Sequence, residues 1–180
     1  MTYKLSGLGH LAWGLYKLGA HVTCTDTPDG DLSALTTRVQ SWLAEEKSSD
    51  IAGIGNEVRG SIRVQELTWG QQHWAVSPVS KESTEYDVLI LAEVFSLPEL
   101  HEELVWTVQK LCHAKIEIWS IFLNRSFSFM FFALLADAGG FRVRQIPADE
   151  VDLLGMEGDE LGIFMHQTFY DPSSPRVKRD

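Results

Sequence analysis

Cysteine is scarce in this chain of 180 residues: Cys24 and Cys112 are the only two, each inside a hydrophobic run rather than in a Cys-x-x-Cys pair. That usage excludes a disulfide framework and a zinc ribbon, and it fits a reducing compartment. Positive charge is also short, with 15 Lys and Arg against 25 Asp and Glu, for a formal net charge of −10. Such a chain has no broad positive field to gather a phosphate backbone, so a nucleic-acid-binding surface is not expected. Long apolar runs are missing too. The longest, around 116–135, is broken by Asn124, Arg125 and several serines, so it reads as folded segments rather than a membrane span. The first 25 residues hold no Asp or Glu, as in a mitochondrial presequence, but they hold no Arg either and read as folded structure. A cytoplasmic location is therefore expected, with the mitochondrion as the alternative. The histidines His10, His21, His73, His101, His113 and His166 are scattered without ligand spacing, and no metal site is expected.

What is present is enough apolar material, 44% of residues, to bury one sizeable core. A single domain over 1–170 with a frayed tail at 171–180 follows. The opening, Tyr3 to Pro28, reads as a strand, a glycine turn, a helix and a second strand at 21–26 that closes on an acidic residue. Leu32, Leu35, Val39, Trp42 and Leu43 form the stripe of a helix over 32–46. A Gly-rich loop at 48–60, a strand at 61–69 and a second loop at 70–85 come next. YDVLILAE, 86–93, is apolar on both faces, as a central parallel strand should be. Pro98 suits the first turn of a helix over 98–112, with Leu100, Leu104, Val108 and Leu111 on one face. A strand at 116–123 and a helix over 127–140 closed by glycines follow. The last two strands, 141–147 and 161–170, have no helix between them. Alternating strands and helices predict an α/β doubly wound sheet with ligands beyond the carboxyl ends of its strands. The short final connection allows an antiparallel pair but no right-handed crossover, so the sheet should end in a reversed strand.

Taken alone, GLGHLAWGLYKLGAHVT resembles the cofactor turn of medium-chain alcohol dehydrogenases, but that family needs a zinc-bearing catalytic domain for which this chain has neither length nor ligands. Over nearly its whole length the chain resembles the seven-strand protein-lysine methyltransferases, whose first motif reads roughly Glu-Leu-Gly-Ala-Gly-Thr-Gly. Here that motif stands as Tyr3-Lys4-Leu5-Ser6-Gly7-Leu8-Gly9, followed by Leu18-Gly19-Ala20 and Thr25-Asp26-Thr27-Pro28. Leu67-Thr68-Trp69-Gly70 is similar to the family's Leu-x-Trp-Gly. Tyr86 to Phe95 is similar to its Tyr-Asp-Leu-Ile-Leu-Gly-Ala-Asp-Val-Val, and Phe131-Phe132 with Ala138-Gly139-Gly140-Phe141 to its late Phe-Phe and Gly-Phe. The resemblance implies a Rossmann-like methyltransferase sandwich, a mostly parallel twisted sheet with an antiparallel C-terminal strand. It also implies S-adenosyl-L-methionine as cofactor and a protein substrate or protein complex as partner.

Carried over residue by residue, the resemblance places the cofactor against Leu5, Ser6, Gly7, Asp26, Trp69 and Ala92. Asp26 would accept the ribose hydroxyls; an Asp opening an Asp-x-Pro turn and capping the next helix explains it equally. Trp69 would lie beside the adenine, although a core tryptophan ending a strand is the plainer reading of a lone Trp. Glu93 replaces the family's Asp and would orient a lysine ammonium; a solvated strand-end Glu is the plainer reading there. No other catalytic residue is expected, because in-line methyl transfer needs positioning and desolvation more than acid–base groups. Phe127, Phe129, Phe131 and Phe132 read as helix core rather than a substrate cage.

The departures from the family fall at the first turn. Tyr3 stands for its acidic residue and Leu5, a branched side chain, for its first glycine. The chain begins almost inside the first strand, so either a cofactor-covering segment precedes Met1 in the natural protein or the pocket lacks that wall. Two readings follow: an S-adenosylmethionine-dependent protein-lysine methyltransferase, and a catalytically inactive methyltransferase-like subunit that serves a larger complex.

Overall fold

The computed structural model describes residues 2–5, 9–49, 60–82, 85–123, 125–147 and 163–173. Seven strands form one sheet: β1 (Thr2–Leu5), β2 (His21–Asp26), β3 (Ser61–Glu66), β4 (Val88–Ala92), β5 (Glu117–Leu123), β6 (Phe141–Ile146) and β7 (Ile163–Tyr170). The helices are α1 (His10–Lys17), α2 (Leu32–Ser49), the single turn α3 (Gln71–Trp74), α4 (His101–Leu111) and α5 (Met130–Ala138). In space the strands run β3-β2-β1-β4-β5-β7-β6. β1 pairs in parallel with β2 and β4, β2 with β3, and β4 with β5.

β7 is antiparallel to both β5 and β6. The reversed strand that the short final connection predicts is thus present, but it lies between β5 and β6 and leaves β6 at the edge. The crossover through α5 carries the chain one position beyond β5, and β7 fills the gap.

Alternation along β4 explains why helices cover both faces. Leu89 and Leu91 belong to one buried cluster with Phe95, Leu104, Val108, Ile118, Phe122, Phe131 and Leu135, which comes from the α4 and α5 side. Val88 and Ile90 belong to another with Ala12, Val22, Cys24, Leu35 and Val39, from the α1 and α2 side. A strand flanked by parallel neighbours has no polar face to offer, and its run of four buried residues reflects this. Burial pushes the Cys24 and Cys112 thiols up to about 12, so both remain protonated and unreactive at neutral pH.

Several boundaries depart from the sequence expectation: β3 ends at Glu66 rather than at 69, α2 runs on to Ser49, and β4 and β5 are shorter by one to three residues. The stretch 70–85 is not all loop, since it holds α3 and a 3-10 turn, Pro78–Lys81, in which the Val79 amide donates to Ser77 Oγ. The helix over 98–112 begins as a 3-10 turn, Pro98–Leu100, before α4. The helix expected from Phe127 starts at Met130, because Phe127 takes a left-handed backbone with φ 71°.

Gly9 fixes the approach of α2 to the start of α1. Its φ is 80°, and a Cβ there would lie 2.6 Å from Leu35 Cδ1, a side chain 1% exposed. Gly9→Ala should therefore destabilise the protein by about 1–3 kcal/mol in urea unfolding, through backbone strain and overpacking.

His166, 5% exposed, stacks on Phe122 at a centroid distance of 5.6 Å and on Phe132 at 4.5 Å. Its Nδ1, the Oγ of its register partner Ser120 and Thr168 Oγ1 are buried without hydrogen-bond partners. Burial holds the imidazole below its usual value of 6.5. As pH falls through that value the unfolded chain takes up the proton first, so stability present above it is lost below it. Unfolding free energies at pH 7.5 and 5.5 should show this loss in the wild type, and a smaller one in His166→Phe.

Candidate functional site

The carboxyl ends of β2 and β3 face a cavity of about 330 Å³, inside the range of about 300–1,000 Å³ usual for small-molecule sites. Asp26, the last residue of β2, and Trp69, just beyond β3, both line it. Two residues 43 positions apart in the chain reach one hollow because β2 and β3 pair in register, Asp26 opposite Glu66. Leu67 N–H then donates to Asp26 C=O at 2.9 Å, which carries the pairing one residue past the strand.

Asp26 does not cap α2, which starts at Leu32. Its Oδ1 accepts the Thr27 amide at 2.7 Å, and no ion pair engages it among the described residues. The carboxylate is thereby oriented by its own turn, with acceptor capacity left over. Trp69 is half-buried and packs on the α4 and α5 cluster with the rest of its surface on the cavity. Opposite, the segment after β4 supplies Leu97 and Leu100, and α4 supplies Glu103.

Gly70 explains why α4 comes so close. Its φ of 99° suits glycine, and a Cβ would meet Glu103 Cγ at 2.9 Å. Its amide donates to Thr107 Oγ1 at 2.9 Å, and Thr107 Oγ1 in turn donates to the Glu103 carbonyl at 2.8 Å. Glu103 is held in place by this chain, while its Oε2 is sealed from solvent and finds no hydrogen-bond donor. Glu103 thus stands on the cavity wall with its side chain fixed by the loop that follows β3.

The remaining sequence candidates lie elsewhere. Leu5 closes β1 opposite Cys24, next to the strand that carries Asp26. Ser6 and Gly7 fall outside the described residues. Ala92 ends β4 and packs against the α1 and α2 cluster without lining the cavity. Glu93, with φ 55°, clasps the ends of β4 and β5: its Oε1 accepts the Leu123 amide at 2.6 Å and its Oε2 pairs with Arg125 at 3.2 Å. No group of three or more His, Cys, Asp or Glu side chains among the described residues is arranged to hold a metal, and no described helix is long and apolar enough to cross a membrane.

No protein-family model matches the chain. Solved structures do. An S-adenosylmethionine-dependent methyltransferase from Aquifex aeolicus superposes with TM-score 0.56 at 15% identity, over 95% of this chain and 82% of that one. A predicted O-methyltransferase from Agrobacterium tumefaciens gives TM-score 0.57 at 14% identity, over 98% and 76%. The fold is that of the Rossmann-like methyltransferases. Magnesium protoporphyrin IX methyltransferase from Synechocystis PCC 6803, solved with S-adenosylmethionine bound, gives TM-score 0.55 at 14% identity over 95% and 70%. An rRNA methylase from Escherichia coli gives 0.53 at 14% over 94% and 57%. Methyltransferases with unlike substrates thus share this fold.

Among the lining residues that sequence reasoning missed are Leu97, Leu100 and Glu103. The signal was indirect: Glu103 flanks the Leu100–Leu104–Val108 stripe of α4, and the glycine of the Trp-Gly pair marks where that helix touches the loop after β3. Gly70→Ala should cost about 1–3 kcal/mol in thermal or urea unfolding, and it should quench or shift Trp69 fluorescence by pushing α4 off the loop.

Proposed function

We propose that this chain is an S-adenosylmethionine-dependent methyltransferase that acts on a lysine amine of a protein. The observation that carries the cofactor half of this reading is the meeting of the Asp26 carboxylate, which no ion pair engages among the described residues, the Trp69 indole and the Glu103 side chain around one cavity at the carboxyl ends of β2 and β3. A doubly wound sheet takes its ligands at that end.

The donor set fits an adenosyl group. Asp26 would accept the vicinal ribose hydroxyls, as an oriented carboxylate with spare lone pairs can. Trp69 on one side and Leu97 and Leu100 on the other would supply apolar area to a purine. The Glu103 side chain on the cavity wall would accept its exocyclic amine. When bound, the cofactor supplies a sulfonium-activated methyl group, whose transfer is an in-line displacement. This chain's contribution is to hold the two reactants in line and keep water away, which needs no catalytic acid or base. The amine half of the reading is supported by charge: the exposed Glu66 ends β3, and the exposed Asp29, Asp31, Glu99 and Glu102 follow β2 or β4, and together they favour a cationic acceptor.

Calorimetry with S-adenosylhomocysteine tests the cofactor half directly. Saturable binding is expected, weakened about 10- to 100-fold in Asp26→Ala through lost charged hydrogen bonds and about tenfold in Trp69→Ala through lost stacking. Glu103→Leu should weaken S-adenosylhomocysteine but leave S-inosylhomocysteine, which lacks the exocyclic amine, unchanged. Absence of binding at millimolar ligand would refute the reading. Mass spectrometry of a lysine-bearing protein extract incubated with chain and cofactor tests the amine half, and methyl groups found only on nucleic acid or small molecules would overturn it.

A further inference from the structure

Two non-glycine residues among the described ones have left-handed backbones, Glu93 at φ 55° and Phe127 at φ 71°, and they stand on adjacent strand ends. The Glu93–Arg125 pair joins them. A bulky side chain in that conformation is strained, and the strain is usually repaid by packing. Phe127 is 64% exposed, so most of its side chain meets solvent instead. Phe129 and Met130 beside it, and Leu123 at the end of β5, are also at least 40% exposed.

The turn that carries these side chains is nonetheless firmly built. Ser128, 1% exposed, accepts the Arg125 amide through its Oγ at 3.2 Å, and its own amide donates to the Arg125 carbonyl at 3.1 Å. Met130 N–H donates to the Phe127 carbonyl at 2.9 Å, and Phe129 packs edge-on against Phe122. Apolar side chains are thus presented to solvent by a preorganised support. Order in the support lowers the entropy cost of binding.

We propose that this turn is a docking prong for the methyl acceptor, and that the acceptor is a basic protein segment with a large apolar residue close to its reactive amine. The proposal rests on the methyltransferase reading above and adds an apolar requirement to it. The occupant follows from charge. At the same end of the sheet, Glu99 and Glu102 after the neighbouring β4 are exposed, as are Asp29, Asp31 and Glu66 farther along that edge at β2 and β3. Arg125 is held by Glu93 and adds no free cation. Lys17, Lys110 and Lys115, in contrast, stand near the amino ends of the strands, where α1 and α4 finish and β5 begins. A cationic peptide is therefore drawn to the face, and an RNA phosphate backbone is repelled from it. The apolar residue of the peptide then covers Phe127, Phe129 and Met130.

The test is fluorescence anisotropy with labelled peptides of lysine, glycine and leucine, the same peptides with serine for leucine, and a uridine oligonucleotide. The wild-type chain should bind the leucine peptide about tenfold tighter than the serine one, the effect of burying one leucine-sized side chain. Phe127→Asn combined with Met130→Ser should remove that preference. Thermal unfolding and affinity for S-adenosylhomocysteine should be retained in the double variant, since asparagine accepts the left-handed backbone. Phe127→Gly, which removes the side chain, relieves the backbone and leaves Met130 in place, serves as the second variant and should weaken the preference by itself. Equal binding of leucine and serine peptides, no peptide binding, a preference that survives both variants, or tighter binding of the oligonucleotide would overturn the proposal. Failure of the wild type to bind S-adenosylhomocysteine would instead remove the methyltransferase reading while leaving the peptide preference measurable, so the two fail separately.

Discussion

The rest of the structure depends on one strand having apolar neighbours on both sides. β4 places Leu89 and Leu91 in one buried cluster and Val88 and Ile90 in another. With no face left for water, it must sit inside the sheet, with α1 and α2 above and α4 and α5 below. Helices on both faces in turn leave only the strand ends for a ligand. The crossover rules fix which end collects the loops, and the cavity beside Asp26 and Trp69 is where the loops after β2, β3 and β4 converge.

The same constraint explains how much of the fold is legible in the sequence. β2 stands where its alternation puts it, and β4 and β5 differ from expectation by a residue or two, because a strand's burial pattern is local. The position of β7 between β5 and β6 is not legible, since strand pairing is a long-range choice that the sequence of either strand does not state. The late start of α5 is hidden for another reason: Phe127 has the apolar character that the helical stripe calls for, but the turn tied by Ser128 sets its backbone.

The candidate site was legible where a residue's own strand places it. Asp26 and Trp69 come together because each ends or follows a strand of one parallel pair. Glu103 and the leucines of the segment after β4 were not legible, because they reach the cavity only through the contact of α4 with Gly70. Ala92 and Glu93 show the converse, since likeness of position at the end of β4 does not put them on the cavity. Glu93 is engaged instead with Leu123 and Arg125, and it ties the strand end to the turn that carries Phe127. The cavity and the turn of Phe127 therefore lie along the same carboxyl edge of the sheet.

The central claim is that the hollow between Asp26 and Trp69 receives an adenosyl group. A crystal structure grown with S-adenosylhomocysteine measures this most directly. The account predicts ribose density within hydrogen-bonding distance of the Asp26 carboxylate, with the purine against the Trp69 indole and its amine toward the Glu103 side chain. An empty hollow at saturating ligand, or a ligand bound elsewhere, would contradict it.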